Sequence, residues 1–82
     1  MIVKFIVAAG RIIFSDEHYH RNLHSDVAER NGIPTKEVSG GGLADTEQKR
    51  IFGTSYGFGQ YDPEAVARLL GDWTVEIPSD YQ

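Results

Sequence analysis

Three histidines lie close together in the first third of the chain. His18, His20 and His24 all fall within the stretch SDEHYHRNLHSD, residues 15–26, and the 82-residue chain has no other histidine and no cysteine. An imidazole changes its charge near neutral pH, so each ring is suited to general-base catalysis or to metal binding. On a helix His20 and His24 share a face, because they are four residues apart, and this spacing suits two zinc ligands.

A zinc site is one of three interpretations of this cluster. Zinc usually takes four ligands, and the carboxylates that would complete the set are common surface residues: Asp16, Glu17 and Asp26. We therefore expect no bound metal and no other cofactor. The two remaining interpretations are solvated histidines at the start of a helix, and one catalytic base with two bystanders.

A lysine and two glycine-rich segments suit a bound anion. Lys4 interrupts the apolar run IVKFIVA, where an ammonium group is costly to bury without a partner, although its stem can also extend to water. SGGGL (39–43) and GTSYGFG (53–59) are predicted loops at strand ends, where N–H groups without a neighbouring Cβ can bind phosphate. Each glycine run alone is weak evidence, since glycines more often serve tight turns.

Composition excludes several classes of protein. The net charge of −4 argues against binding to nucleic acid or to an anionic membrane, and the absence of cysteine excludes disulfides and thiolate chemistry. The apolar opening is too short to span a bilayer and does not resemble a signal peptide. We expect one cytoplasmic, monomeric domain over residues 1–82.

The elements that must position these residues follow the order ββαββαβ. Strands are predicted at residues 2–8 and 11–14, then at TKEVS (35–39), KRIFGTS (49–55) and WTVEI (73–77). Two helices lie between them, so the expected fold class is α/β, with a single mixed β-sheet packed against two α-helices.

Both helices have recognisable ends. The first is predicted from a cap at Ser15 or Asp16 to Asn31-Gly32, and its apolar stripe is Tyr19, Leu23 and Val27. The second begins at Asp62-Pro63-Glu64 and stops at Gly71, and its predicted buried face is Ala65, Val66, Leu69 and Leu70.

Several short motifs, in the same order, resemble the Janus/Ocnus family of phosphohistidine phosphatase-like proteins. VKFIV is similar to the family's first strand with its lysine, YHRNL to its tyrosine-histidine helix start, and RIFGTSYGFG to its strand and phosphate loop. GGG and the ending WTVEIPSDY also match, so the resemblance extends from Lys4 to Tyr81.

The resemblance implies roles for individual residues. His20 corresponds to the family's general base, Lys4 to its phosphate-side cation, and the loop whose N–H groups bind phosphate to Ser55, Tyr56 and Gly57. His18 and His24 have no counterpart on this alignment. The family's arginine after the glycine triplet is Leu43 in this chain, and a further rim of the site is expected from Arg11, Gly40, Gly41 and Gly42.

The function implied is hydrolysis of the P–N bond of phosphohistidine in proteins or peptides, without a metal. The alternative is a noncatalytic module that binds phosphate or a phosphoprotein on the same fold. A zinc-binding or purely structural protein is the third possibility. Phosphoserine esters are poor candidates, because their alkoxide leaving group needs an acid, a metal pair or a covalent nucleophile.

Overall fold

The computed structural model describes residues 1–15, 23–55 and 57–78 of the chain. Within these residues it contains one mixed five-stranded sheet and two helices. The strands are β1 (Ile2–Ala8), β2 (Arg11–Phe14), β3 (Val38–Asp45), β4 (Arg50–Phe52) and β5 (Thr74–Val75). The helices are α1 (His24–Arg30) and α2 (Pro63–Leu69), and a short 3-10 helix covers Thr35–Glu37.

The sheet has the strand order β2-β1-β3-β4-β5. β1 is antiparallel to both of its neighbours, β3 is antiparallel to β4, and β4 is parallel to β5. The predicted α/β class and the element order ββαββαβ are therefore confirmed.

A tight hairpin joins β1 to β2. Ala9 and Gly10 both have positive φ, 51° and 73°, as a two-residue type I′ turn requires. Ala8 then pairs with Arg11, which places Arg11 beside the turn.

The sheet separates two groups of buried side chains. Along β1, Val3, Phe5 and Val7 contact the α2 side, where Val66 is buried, because alternate residues of a strand point to opposite faces. Ile6 points to the other face and packs with Val27 of α1. Lys4 has the same parity as Ile6, so its side chain lies on the α1 face of the sheet.

The first helix begins later than predicted. Leu23 has an extended backbone (φ −72°, ψ 159°) and its side chain is 64% exposed, so it precedes α1 and contributes nothing to an apolar stripe. The proposed cap at Asp16 and the stripe residue Tyr19 lie outside the described residues. Ser15 does not cap α1, which begins at His24. Its N–H donates to the Lys4 carbonyl at 2.8 Å and extends the β1–β2 ladder.

The glycine triplet lies inside a strand, which corrects its prediction as a loop. Gly40, Gly41 and Gly42 are buried in β3 and pair with Val7, Ile6 and Phe5 of β1. The run was mistaken for a loop because glycine is uncommon in strand interiors. A Cβ at Gly41 would lie 2.5 Å from the Phe5 carbonyl oxygen, so close packing explains this glycine.

Other strands are shorter than their patterns suggested. TKEVS is largely helical, because the Glu37 N–H donates to the Pro34 carbonyl at 2.9 Å and closes the 3-10 turn. β4 ends at Phe52, before Gly53, which has a φ of 76° that a strand does not accommodate. Only Thr74 and Val75 of WTVEI are in a strand.

The second helix agrees closely with its prediction. The Asp62 carboxylate accepts hydrogen bonds from the N–H groups of Glu64 (3.0 Å) and Ala65 (3.4 Å), and Pro63 occupies the first helical position. Val66 is fully buried, whereas Leu69 is 46% exposed and does not belong to the buried face. This helix covers the face of the sheet opposite Lys4.

Candidate functional site

His24 is the first residue of α1, and its ring turns toward the sheet. The helix start is held by a reciprocal pair of hydrogen bonds: the Leu23 N–H donates to the Asp26 carboxylate at 2.9 Å, and the Asp26 N–H donates to the Leu23 carbonyl at 3.0 Å. Nε2 of His24 then lies 2.8 Å from the carbonyl oxygen of Gly42 in β3. The ring is thus fixed between a helix start and the central part of the sheet.

This hydrogen bond decides which ring nitrogen carries the proton. A backbone carbonyl only accepts, so Nε2 must be the protonated nitrogen, and the lone pair of the neutral ring is on Nδ1. Burial lowers the pKa of His24 below its ordinary value of 6.5, and the positive charge of Lys4 lowers it further, although the bond to Gly42 acts in the opposite direction. At neutral pH the ring is therefore uncharged and can accept a proton at Nδ1.

Lys4 lies on the same face of the sheet as His24. Its backbone is fixed by the adjacent strand end, since the Lys4 N–H donates to Ser15 Oγ at 3.1 Å. The register partner of Lys4 in β3 is Leu43. The positive charge of Lys4 is close enough to His24 to lower the pKa of the imidazole. A cation beside a neutral imidazole is an arrangement that favours an anionic ligand.

Ser55 is fully buried, at 0% exposure, and it anchors the loop that follows β4. Its N–H donates to the Gly41 carbonyl at 3.0 Å, and its carbonyl accepts from the Gly59 N–H at 2.9 Å. Its hydroxyl oxygen accepts from the Phe58 N–H at 3.2 Å, which leaves the hydroxyl proton available for donation. The Ser55 N–H, which was predicted to bind phosphate, is thus engaged by the Gly41 carbonyl.

Gly57 fits the predicted loop better. It is exposed, it borders the same cavity as Lys4, and an added Cβ would meet no atom within 4 Å. Among residues 1–15, 23–55 and 57–78 its N–H has no hydrogen-bond partner. Tyr56, its predicted neighbour in the phosphate loop, lies outside the described residues.

Gly41 allows the other groups to come together. A Cβ built on it would lie 3.1 Å from Cδ2 of His24 and 3.4 Å from Cβ of Ser55. The glycine triplet thus supplies space and two carbonyls to the site, those of Gly41 and Gly42, and its own N–H groups lie within a paired strand. Gly40, Gly41 and Gly42, which were predicted as a rim of the site, therefore lie within β3.

A cavity of about 580 Å³ connects these groups. Its lining includes residues from β1, β3, the start of α1, the 3-10 helix and the loop after β4: Lys4, Leu23, His24, Ser25, Thr35, Leu43, Thr54, Ser55, Gly57 and Phe58. Arg11 does not border it, because it pairs with Ala8 four residues along β1 from Lys4, a distance of about 13 Å along a strand.

His24, which the sequence analysis treated as a bystander or as a zinc ligand with His20, is the histidine that the structure brings to the cavity. The resemblance assigned the general base to His20, which lies outside the described residues, as does His18. The sequence clue to a helix that starts at His24 was Asp26, two residues later. Asp26 occupies the third helical position, where its carboxylate accepts a hydrogen bond from the N–H of the cap residue and so defines the helix start.

The described part of the chain contains no candidate metal site and no candidate membrane-spanning helix. In the described residues no three His, Asp or Glu side chains form a group that could hold a metal ion. Three residues of the zinc interpretation, Asp16, Glu17 and His20, lie outside the described residues. None of the helices found in these residues has the length and apolar character needed to cross a membrane.

The geometry therefore consists of a neutral imidazole, a cation and a buried hydroxyl around one cavity. Comparisons of this chain with protein-family models, with curated proteins and with solved structures give no match.

Proposed function

We propose that this protein is a phosphohistidine phosphatase, with a phosphohistidine phosphatase-like fold, and that His24 is its general base. The observation that supports this most strongly is the bond between His24 Nε2 and the Gly42 carbonyl at 2.8 Å, in a cavity that Lys4 also borders. It leaves an uncharged Nδ1 ready to take a proton beside a group that attracts phosphate. The short motifs that resemble the Janus/Ocnus family support a phosphate site that includes Lys4, whereas the choice of His24 as the base rests on the geometry alone.

The proposed reaction is direct attack of water on phosphorus. Nδ1 of His24 takes one proton from the water as the new P–O bond forms and the P–N bond breaks. That proton then passes to the departing imidazole nitrogen, so the products are inorganic phosphate and an unmodified histidine. Lys4 and the N–H of Gly57 stabilise charge on the phosphoryl oxygens during the transfer.

The leaving group explains why so few groups suffice. Imidazole departs readily from a weak P–N bond, so a general base and a phosphate-binding cation meet the main chemical demands. Phosphoserine requires expulsion of an alkoxide, for which general acids, metals or covalent nucleophiles are normally used. The proposal therefore predicts little release of phosphate from phosphoserine peptides.

The decisive experiment compares three matched substitutions, His18→Asn, His20→Asn and His24→Asn. We expect His24→Asn to reduce turnover of a phosphohistidine peptide by about 10²- to 10⁴-fold, the usual contribution of a general base. His18→Asn serves as the control, and His20→Asn tests the base that the sequence alignment predicted. Circular dichroism of each variant checks that the fold is retained.

The outcomes separate the alternatives. A large loss of turnover with His20→Asn and none with His24→Asn would assign the general base to His20 and reject His24. Release of phosphate by the wild type no faster than spontaneous hydrolysis would reject the enzyme altogether.

A noncatalytic phosphate-binding module is the second candidate, and Leu43 favours it. Among the described residues that border the cavity, Lys4 alone carries a full positive charge, and Leu43 stands where the resemblance leads us to expect an arginine. One cation can hold phosphate, but it offers less stabilisation than two to a transition state whose charge is spread over three oxygens. Binding of inorganic phosphate without turnover would support this alternative.

A further inference from the structure

The cavity is lined by both polar and apolar side chains. Its polar groups are those already described: Lys4, His24 and Ser55. Its apolar side chains come from the helix start, β3 and the loop after β4: Leu23, Leu43 and Phe58. A ligand that fills this space needs an anionic head and an uncharged body.

The size of the cavity leads to the same conclusion. Its volume of about 580 Å³ falls within the range of roughly 300 to 1,000 Å³ that is typical of sites for whole small molecules. A phosphate ion alone occupies a small part of such a space. The remaining volume is available to the group that carries the phosphate.

Leu43 is placed to contact that group. It is the register partner of Lys4, so the apolar side chain lies beside the cation on the same face of the sheet. Its Cδ1 would lie 3.2 Å from a Cβ at Gly53, which means that the leucine packs closely against the backbone after β4. The leucine is therefore held in place.

Phe58 is held next to Ser55 by a hydrogen bond. Its N–H donates to Ser55 Oγ at 3.2 Å, and its ring packs against the buried cluster on the α1 face. Leu43 and Phe58 therefore border the cavity from two separate elements, with Leu43 beside Lys4 and Phe58 bonded to Ser55.

We infer that Leu43 and Phe58 form a binding surface for an uncharged, flat ring, so that the site recognises a phosphoryl group together with the aromatic ring that bears it. This inference rests on the proposed function and narrows its substrate class: phosphohistidine is preferred over phosphoryl groups on aliphatic amines such as phospholysine. Leu43 and Phe58 are specificity-determining residues and take no part in the bond cleavage.

Two non-hydrolysable probes test this inference independently of turnover. Phenylphosphonate and methylphosphonate have the same head group and differ in the ring, and binding of each is measured by calorimetry and by NMR titration. We expect the wild type to bind phenylphosphonate about tenfold more tightly, the scale of discrimination that an apolar pocket provides. Leu43→Gln and Phe58→Leu should each reduce this preference to about threefold or less without weakening methylphosphonate binding.

The control is the same change on the opposite face of the sheet, Leu69→Gln in α2, which should leave both affinities unchanged. Equal affinity of the wild type for the two probes would overturn the inference, even if phosphohistidine were hydrolysed. A preference that survives both Leu43→Gln and Phe58→Leu would also overturn it. Preferential binding of phenylphosphonate by a protein that hydrolyses no phosphohistidine would support the inference and reject the proposed function.

Discussion

At the scale of single residues, the two nitrogens of His24 have separate tasks. Nε2 is committed to the Gly42 carbonyl, and this leaves Nδ1 as the acceptor. Burial and the charge of Lys4 both favour the neutral ring. The same environment that positions the imidazole therefore keeps it in the form that a general base requires.

The rate should depend on pH through this ring. Because the pKa of His24 lies below 6.5, activity should be constant at neutral pH and fall as the pH drops and Nδ1 becomes protonated. The pH dependence of kcat/KM, corrected for spontaneous hydrolysis, should have a midpoint below 6.5 that coincides with the NMR titration of His24. A midpoint at or above the ordinary histidine value would contradict the assignment.

Lys4→Met should affect both ligand binding and the titration of His24. Methionine has a similar length without the charge, so phosphate affinity should fall by about tenfold, the expected effect of losing one charge-assisted hydrogen bond. The pKa of His24 should rise, since the charge of Lys4 lowers it. Isothermal titration with phosphate and NMR titration of the imidazole measure the two effects.

Lys49→Met is the matched control for this change. Lys49 is exposed and pairs with Asp72, away from the cavity. The Lys49→Met substitution should leave the phosphate affinity and the pKa of His24 unaltered. Equal loss of affinity in the two variants would mean that Lys4 acts only through the overall charge of the protein.

At the scale of elements, β3 organises the site. It gives the Gly42 carbonyl to His24 and the Gly41 carbonyl to the Ser55 N–H, while pairing with β1 along its length. Three separate elements are thus attached to one glycine-rich strand. Small side chains are needed there, since the ring of His24 and the side chain of Ser55 both lie against Gly41.

Gly41→Ala should damage stability and site together. The new Cβ would approach the Phe5 carbonyl oxygen to 2.5 Å, and neither backbone can easily move within the sheet. We expect a loss of about 2 kcal/mol or more in the free energy of unfolding, as for other overpacked core positions. Urea denaturation measures this change in the free energy of unfolding. Gly71→Ala, where an added Cβ meets nothing within 4 Å, should change stability by less than about 0.5 kcal/mol.

The limits of sequence reasoning are clearest in these same elements. β1, β2 and α2 were predicted well, because alternation, turn residues and the Asp62-Pro63 cap are local signals. The glycine triplet and the start of α1 were not, because their structures depend on contacts between distant segments: Gly41 with Phe5, and His24 with Gly42. Lys4 was identified from its unusual position in a strand, whereas the cavity beside it depends on tertiary packing.

At the scale of the whole molecule, buried side chains on both faces stabilise the sheet. Tyr61 belongs to the cluster on the α2 face, is only 2% exposed, and donates its hydroxyl proton to the Glu76 carbonyl at 2.6 Å. Its ring centroid lies 5.3 Å from that of Phe5. This one side chain links the start of α2, strand β1 and the segment after β5.

Tyr61 should make the fold sensitive to alkaline pH. Burial, with a smaller effect from the charge of Glu76, raises the pKa of Tyr61 from 10.0 to about 12. The folded state therefore favours the neutral phenol, so this contribution to stability is complete below pH 10 and is lost as the pH rises from 10 toward 12. Melting temperatures measured across this range should fall.

Tyr61→Phe isolates this effect. The variant loses the hydrogen bond to Glu76, so its stability at pH 8 should be lower by about 1 kcal/mol. Its melting temperature should decline less steeply above pH 10, since the titrating group is absent. Parallel declines in the two proteins would assign the alkaline loss to other groups.

The pairing of β1 with β3 also determines when the site can appear during folding. β1 and β2 are joined by two residues and can form a hairpin early, whereas β3 must close a much longer loop at a greater cost in chain entropy. A chain leaving the ribosome exposes Lys4 and then His24 before Gly42 has emerged. The imidazole therefore finds its carbonyl partner only in a late step, and recovery of activity during refolding should follow the docking of β3 rather than the formation of the first hairpin.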